Sequence, residues 1–337
     1  MNEHPCKNRL GMFPLFYSDE FLDHDTGLGH PERADRLRAI VAHLRGSSLA
    51  ADLQWREPMA IAGALERRLM AAVRRVHDGQ YLDDLQQLAE RGGGRIDADT
   101  PVSSRSYAVA LLAVQAWLEG FDAVRRSGQP AFVLARPPGH HAVADGGMGF
   151  CLLSNAAIVA RDAIATEAVE RIAIVDWDVH HGNGTQDLVV NEAAIAYCSI
   201  HQSPAYPGTG YPCRDDHEHQ LLNLPVAAGS TIEDYRSRFR DRIVPFLKDF
   251  NPDVILVSAG YDANRADPLA SVNLAPEDYG ELTHYLLDVT PRLLFGLEGG
   301  YDLNALAASV EATIHACISR DRPQTVPHFA PDPSPGS

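Results

Sequence analysis

Lysine is nearly absent from this chain. Lys7 and Lys248 are the only two in 337 residues, and arginine supplies almost all the positive charge. We read that skew as compositional bias rather than function. With a formal net charge of −16, the chain lacks the basic surface that phosphate binding requires, so no nucleic-acid partner is expected. An acidic surface suits cationic substrates instead, such as basic protein tails or polyamines. Cysteine is sparse and odd in number: Cys6, Cys151, Cys198, Cys213 and Cys317 form no C-x-x-C pair. That spacing excludes a disulfide framework and a zinc knuckle and fits a reducing cytoplasm. No apolar run approaches the ~20 residues of a membrane span, and the first residues show no small-residue cleavage site, so neither a membrane segment nor a signal peptide is expected. Internal repeats and linker-like stretches are lacking as well. The expectation is one domain over 16–320, between an N-terminal extension (1–15) and a Pro/Ser-rich tail (321–337) read as disordered.

What is present is an alternation of buried strands and amphipathic helices. Five runs read as parallel strands covered on both faces: "AFVLA" (131–135), "IAIVD" (172–176), "IAYCSI" (195–200), "DVILVS" (253–258) and "RLLFGL" (292–297). Helical periodicity marks 106–128, which ends on a glycine, and also 155–170 and 231–250. The expected fold class is therefore α/β: a single parallel sheet flanked by helices.

Four of these strands run into unusual polar or glycine-rich clusters: "RPPGHHA", "DWDVHHGNGT", "AGYDA" and "EGGYDL". Ligands of open α/β sheets bind at that edge, so one convergent site is expected there. Asp178 and His180, two apart at a strand end, would face one ion, with Asp262 from a neighbouring strand as third ligand. One nitrogen, two carboxylates and an open position make a catalytic pattern rather than a closed structural one. By ligand type zinc, iron(II), cobalt and manganese all remain open. His201, His217 and His219 are read as non-ligands, the last two in a solvated loop, 214–220.

Taken together, "RPPGHHA", "DWDVHHGNGTQ", "SAGYDA..ADPL" and "EGGYDL", with "GLGHPERADRLRAI" nearer the start, resemble the histone deacetylase superfamily, closest to its class II and bacterial deacetylase-like amidohydrolase members. The resemblance runs from about Phe16 to Ala316 and implies the arginase/deacetylase fold, with the active site at the C-terminal strand ends. It implies hydrolysis of an acetyl amide by metal-activated water, with Zn2+ (or Fe2+) on Asp178, His180 and Asp262. His140 and His141 match the paired histidines, Tyr301 the oxyanion-stabilising tyrosine, and Asp176 the carboxylate behind the first histidine. Asn183 stands where class I members carry aspartate behind the second. A structural K+ is implied at Asp176, Asp178, His180, Ser199 and Ile200. The neutral Asn183 makes His141 the better general base. Gly299 and Gly300 are expected to give the Tyr301 loop freedom to swing.

Phe150 and Tyr206 match two aromatics that line the family's acyl-lysine channel, and the Gly149 carbonyl is placed to accept from the substrate amide. Leu269 matches a leucine of acetyl-lysine deacetylases where a polyamine-selective member has glutamate, and the insertion of another polyamine group is missing. The expected substrate is acetyl-lysine in peptides or proteins, with small acetylated amines such as acetylpolyamines as the alternative. A non-catalytic acetyl-lysine binder would be expected to lose Tyr301 or a ligand. A binuclear manganese hydrolase would need carboxylates in place of His140 and His141. The oligomeric state leaves no trace in the sequence.

Overall fold

The computed structural model describes residues 12–212 and 220–319. The chain enters through β1 (Phe13–Phe16) and β2 (Leu53–Arg56), makes a small antiparallel hairpin from β3 (Gly93–Arg95) and β4 (Pro101–Ser103), and returns to the main sheet with β5 (Ala131–Val133). There follow β6 (Ile172–Asp176), β7 (Ile195–Gln202), β8 (Leu221–Val226), β9 (Val254–Ala259) and β10 (Leu293–Leu297). Eight strands form one sheet in the order β2-β1-β5-β10-β9-β6-β7-β8, and every pair in it is parallel. This is the arginase/deacetylase fold.

The five strands legible in the sequence are all there. The central ones, β6, β9 and β10, are buried along their whole length, which is why their sequences are continuously apolar rather than alternating. The three others escape the pattern for local reasons. β1 contains Pro14, β8 contains Asn223 and Pro225, and β2 is a short edge strand of mixed polarity. Proline and polar residues in a run argue against a strand.

Helix Ser106–Ser127 packs on the sheet and stops where Gly128 turns left-handed at φ 70°. By length and composition alone it could cross a membrane, but 78% of its apolar window is buried inside the protein, the mark of a core helix. The helix expected over 155–170 is shorter, Asn155–Ala165, because Glu167 takes φ 53°. The one over 231–250 starts at Ile232, where Thr231 and Asp234 form a capping box. It then widens into a π-turn at Phe239–Ile243 just before Pro245. Proline has no N–H to give the preceding turn, and its ring needs the extra room. Of the sequence expectations, the tail 321–337, His217, His219, Cys6, Cys213 and most of the extension 1–15 lie outside the described residues.

Candidate active site

The C-terminal edge of the sheet gathers the residues singled out in the sequence. β6 ends on Asp176, so Asp178 and His180 lie beyond it, and strand alternation is not what pairs them. A tight turn is: His180 N–H donates to Asp178 Oδ1 at 2.9 Å, and Asp178 N–H donates back to Asp176 Oδ1 at 3.2 Å. In each ligand carboxylate, the oxygen turned away from His180 Nδ1 is tied by backbone. Gly299 N–H donates to Asp178 Oδ2 at 2.8 Å, and Val179 N–H to Asp262 Oδ1 at 2.8 Å. The other oxygens both face His180 Nδ1, each at 3.1 Å.

Asp178, His180 and Asp262 thus offer three ligand atoms within 4.8 Å of one another, buried except for part of the histidine. Edges near 3.1 Å fit ligands held ~2 Å from a shared tetrahedral ion. A second group, His140, Cys151 and Glu298, is equally close, but its atoms are already committed. Glu298 Oε2 accepts from Gly139 N–H (2.7 Å) and His140 N–H (3.2 Å). Burial pushes the Cys151 thiol well up, and it donates to the Gly149 carbonyl at 3.5 Å.

The paired histidines lie against each other, ring centroids 3.9 Å apart and planes tilted by 41°, yet their surroundings differ. His140 Nδ1 is 3.1 Å from Asp176 Oδ2, whose other contact is the Tyr197 hydroxyl at 3.0 Å. Burial pulls His140 down, but Asp178 and Asp176 outweigh it and hold the imidazole at about 10. His141 Nδ1 faces the Asn183 amide oxygen at 2.8 Å. Burial, then the nearby His140 and His180, keep His141 well below its ordinary value. One ring therefore holds a proton and the other stays neutral: His140 lies against Asp178 and Asp176, whereas His141 is buried beside His140 and His180 and bonded to a neutral amide.

Tyr301 follows β10 and the Gly299–Gly300 pair, beside Phe150. Its phenol is pushed well up by burial, against the pull of Arg36, with Asp262 and Asp178 adding to the rise, so it is a neutral donor. Its ring meets Phe150 at 5.8 Å, edge to face. The freedom expected of Gly299 is not what the structure uses. A Cβ there would overlap Asp262 and Asp178, so the glycine serves close approach, and the loop is pinned by Tyr301 N–H donating to Asp267 Oδ2 at 2.7 Å. Gly300, at φ 116°, keeps the left-handed conformation that a side chain would strain.

Tyr206 meets His141 at 5.0 Å with its ring perpendicular. Phe150 lies on the other side, packed against His30 at 4.7 Å. Between them Gly149 leaves room that a Cβ would fill, against His141 and Tyr206. Tyr206 and Leu269 are the exposed members, at 41% and 42%. Leu269 N–H is held by Asp267 Oδ1 at 2.9 Å, so it sits on the same carboxylate that pins Tyr301. Asp176 lies opposite Ser199 in the β6–β7 register, with Ile200 next along. His201 is fully buried and bonded to Ser199 Oγ and the Gly210 carbonyl, a packed histidine as expected.

Sequence reasoning passed over Glu298, Asp267, Arg136, Glu32 and Arg36, although each lies inside a quoted motif. For Glu298, directly after β10, the available signal was an ionisable residue set between an apolar strand and two glycines.

Comparison with known proteins gives the family of the chain. A family model described as the histone deacetylase domain matches residues 30–317. An uncharacterized protein of Synechocystis sp. is 51% identical over 303 residues, 90% of this chain and 98% of that one. A histone deacetylase-like amidohydrolase of Pseudomonas aeruginosa is 34% identical, across 81% of this chain and 73% of its own. The crystal structure of the HDA15 HD domain superposes with a TM-score of 0.85 at 31% identity, covering 93% of this chain and 91% of that one. The chain belongs to the histone deacetylase family.

Proposed function

From that membership we propose that the protein is a metal-dependent amidohydrolase that removes the acetyl group from acetyl-lysine in peptides or proteins. One observation carries the reading. The donor set of Asp178, His180 and Asp262 shares a strand edge with two adjacent histidines of opposite protonation and a tyrosine held as a neutral donor. Zinc is the proposed ion, with iron(II) as the alternative. Bound there, it would acidify a water molecule and polarise the amide oxygen.

The remaining work falls to the chain. Neutral His141 takes the water's proton at Nε2, because its Nδ1 is occupied by Asn183. Charged His140, anchored on Asp176, stabilises the negative charge that builds on the acyl group. The Tyr301 hydroxyl donates to the developing oxyanion, a contribution of ~3 kcal/mol at comparable sites. Phe150 and Tyr206 take the aliphatic stem of the lysine between their rings, and the Gly149 carbonyl accepts from its amide. We assign a structural potassium ion to Asp176, Asp178, His180, Ser199 and Ile200.

A second reading is a small acetylated amine carrying a distal ammonium. It draws on Asp97 and Asp99, whose carboxylates stand near enough to Tyr206 to help burial raise its phenol. Initial rates of zinc-loaded protein on an acetyl-lysine peptide and on an acetylated polyamine separate the two. Preference for the peptide, with a ~10²–10³-fold loss in Tyr301→Phe, is expected. Preference for the polyamine would keep the chemistry and overturn the substrate, and a Tyr301→Phe variant at full rate would overturn the role of the tyrosine.

A further inference from the structure

The segment HPERADR, residues 30–36, holds none of the groups assigned to the reaction, yet it plants two fully buried charges behind them. Arg36, in the first turn of helix Asp35–Gly46, donates through Nε to the Gly300 carbonyl at 2.7 Å and through one Nη to the Glu298 carbonyl at 2.5 Å. Its guanidinium lies 5.1 Å from the centroid of the Tyr301 ring. Arg36 therefore grips the peptide units on either side of the Gly299–Gly300 pair and touches Tyr301 itself. Arg136, also fully buried, begins the loop that leads through two prolines to His140 and His141.

A single carboxylate joins the two arginines. Glu32 Oε1 accepts from Arg36 at 3.1 Å and from Arg136 Nε at 2.5 Å, and Glu32 Oε2 accepts from Arg136 at 2.7 Å. Burial pushes Glu32 up, but Arg136 and Arg36 outweigh it and hold it at about 2. Its third neighbour, His24 at 3.6 Å, is kept neutral by burial, at about 4. The backbone of Glu32 is fixed too, since its carbonyl accepts from Thr26 Oγ1 at 2.5 Å.

Buried ion groups add little net stability relative to apolar packing, and fixing a register is their best-attested use. Here the elements to be registered come from two separate strand ends, β5 and β10. We propose that Glu32 is a positioning residue: by holding Arg36 and Arg136 together it fixes the Tyr301 loop against the loop of His140 and His141. Each arginine on its own reaches one loop, and the shared carboxylate couples them from behind, in addition to the direct bonds that Glu298 accepts from Gly139 and His140 N–H. The inference rests on the roles given to Tyr301 and His141 in the proposed function.

The test is a double-mutant cycle between Glu32→Gln and Tyr301→Phe, with kcat and KM measured on protein whose folded fraction is set by denaturant titration. Glu32→Gln is expected to lower kcat about 100-fold, the scale of a misplacement near 1 Å, with KM little changed. In the Tyr301→Phe background most of that loss should vanish, because there is no hydroxyl left to misplace. A purely structural role lowers the folded fraction and leaves the two effects additive. Where Glu32→Gln does not fold, Arg36→Lys replaces it in the cycle, keeping the cation but not the two-carbonyl grip, and the same coupling is expected. Additive losses, or wild-type kcat in whichever of the two variants folds, overturn the clamp. Full activity in Tyr301→Phe alone would overturn the role of Tyr301 instead, so the two failures are distinguishable.

Discussion

The Nδ1 atom of His141 lies 2.8 Å from the amide oxygen of Asn183, a neutral partner that brings no negative charge to oppose the burial and the nearby His140 and His180 that keep His141 unprotonated. Replacing the amide by a carboxylate leaves the hydrogen bond and changes the charge. Asn183→Asp should therefore raise the His141 pKa, because the carboxylate favours the imidazolium. The base form is then lost at higher pH, so the acid limb of the kcat/KM profile should move upward while the alkaline side keeps its shape. A pH–rate profile of the zinc-loaded variant checks this. Superimposable profiles would remove His141 from the role of base.

The metal reading makes a prediction about stability that needs no turnover. Burial and the nearby Asp178 both raise the Asp262 carboxylate, so in the metal-free protein its charge is unfavourable. Asp262→Asn should leave the apo protein as stable as the wild type or more so. Zinc at a hundred times its dissociation constant should stabilise the wild type by about 2.7 kcal/mol and the variant far less. Thermal melts with and without chelator and zinc decide it. Equal stabilisation of both proteins would show that the ion binds elsewhere.

How much of this was legible in advance depended on the reach of each interaction. β6, β9 and β10 announce themselves because central parallel strands are apolar throughout. The clusters around Asp178, His140 and Tyr301 were visible because charge and glycine interrupt those runs. Edge strands β2 and β8 were hidden, since half their environment is not the core. Glu32, Arg36 and Arg136 were hidden for another reason. Their meaning is a set of contacts across more than a hundred residues, and in the sequence they look like ordinary surface charges. Gly299 was read as a hinge because sequence shows only the missing side chain, not the carboxylates packed where it would be.

His77 offers an acid-stability prediction far from the metal ligands. It is buried, with Nδ1 donating to the Val143 carbonyl at 2.9 Å and Nε2 accepting from Ser154 N–H at 2.9 Å. Protonation would break the second bond, and burial holds the pKa down at about 4 against an ordinary 6.5. A depressed histidine pKa means that the unfolded chain binds the proton more tightly. Its contribution is therefore complete above pH 6.5 and is lost as pH falls from there to about 4. The full span is worth about 3 kcal/mol, with about 2 kcal/mol gone by pH 5. Urea titrations of wild type and His77→Gln at pH 7.5 and 5 should show the variant losing less by that margin. A parallel decline would mean that His77 is not the group that titrates.

The core that supports β10 can be tested in isolation from the chemistry. Gly296 lies mid-strand between Phe295 and Leu297, and Trp117 of helix Ser106–Ser127 fills the space above it. A Cβ at 296 would overlap the indole ring, which is fully buried and has no room to retreat. In an open strand Gly→Ala is expected to help, because alanine loses less backbone freedom on folding. Here overpacking should win, and Gly296→Ala should destabilise by about 1–3 kcal/mol. The displaced strand also carries Glu298 and Tyr301 at its end, so the variant should lose activity beyond its loss of folded protein. Pairing it with Trp117→Phe, which returns volume to the site, should recover part of both, as read by denaturant melts and initial rates. A stabilised Gly296→Ala would mean that the helix and the sheet are not packed this closely.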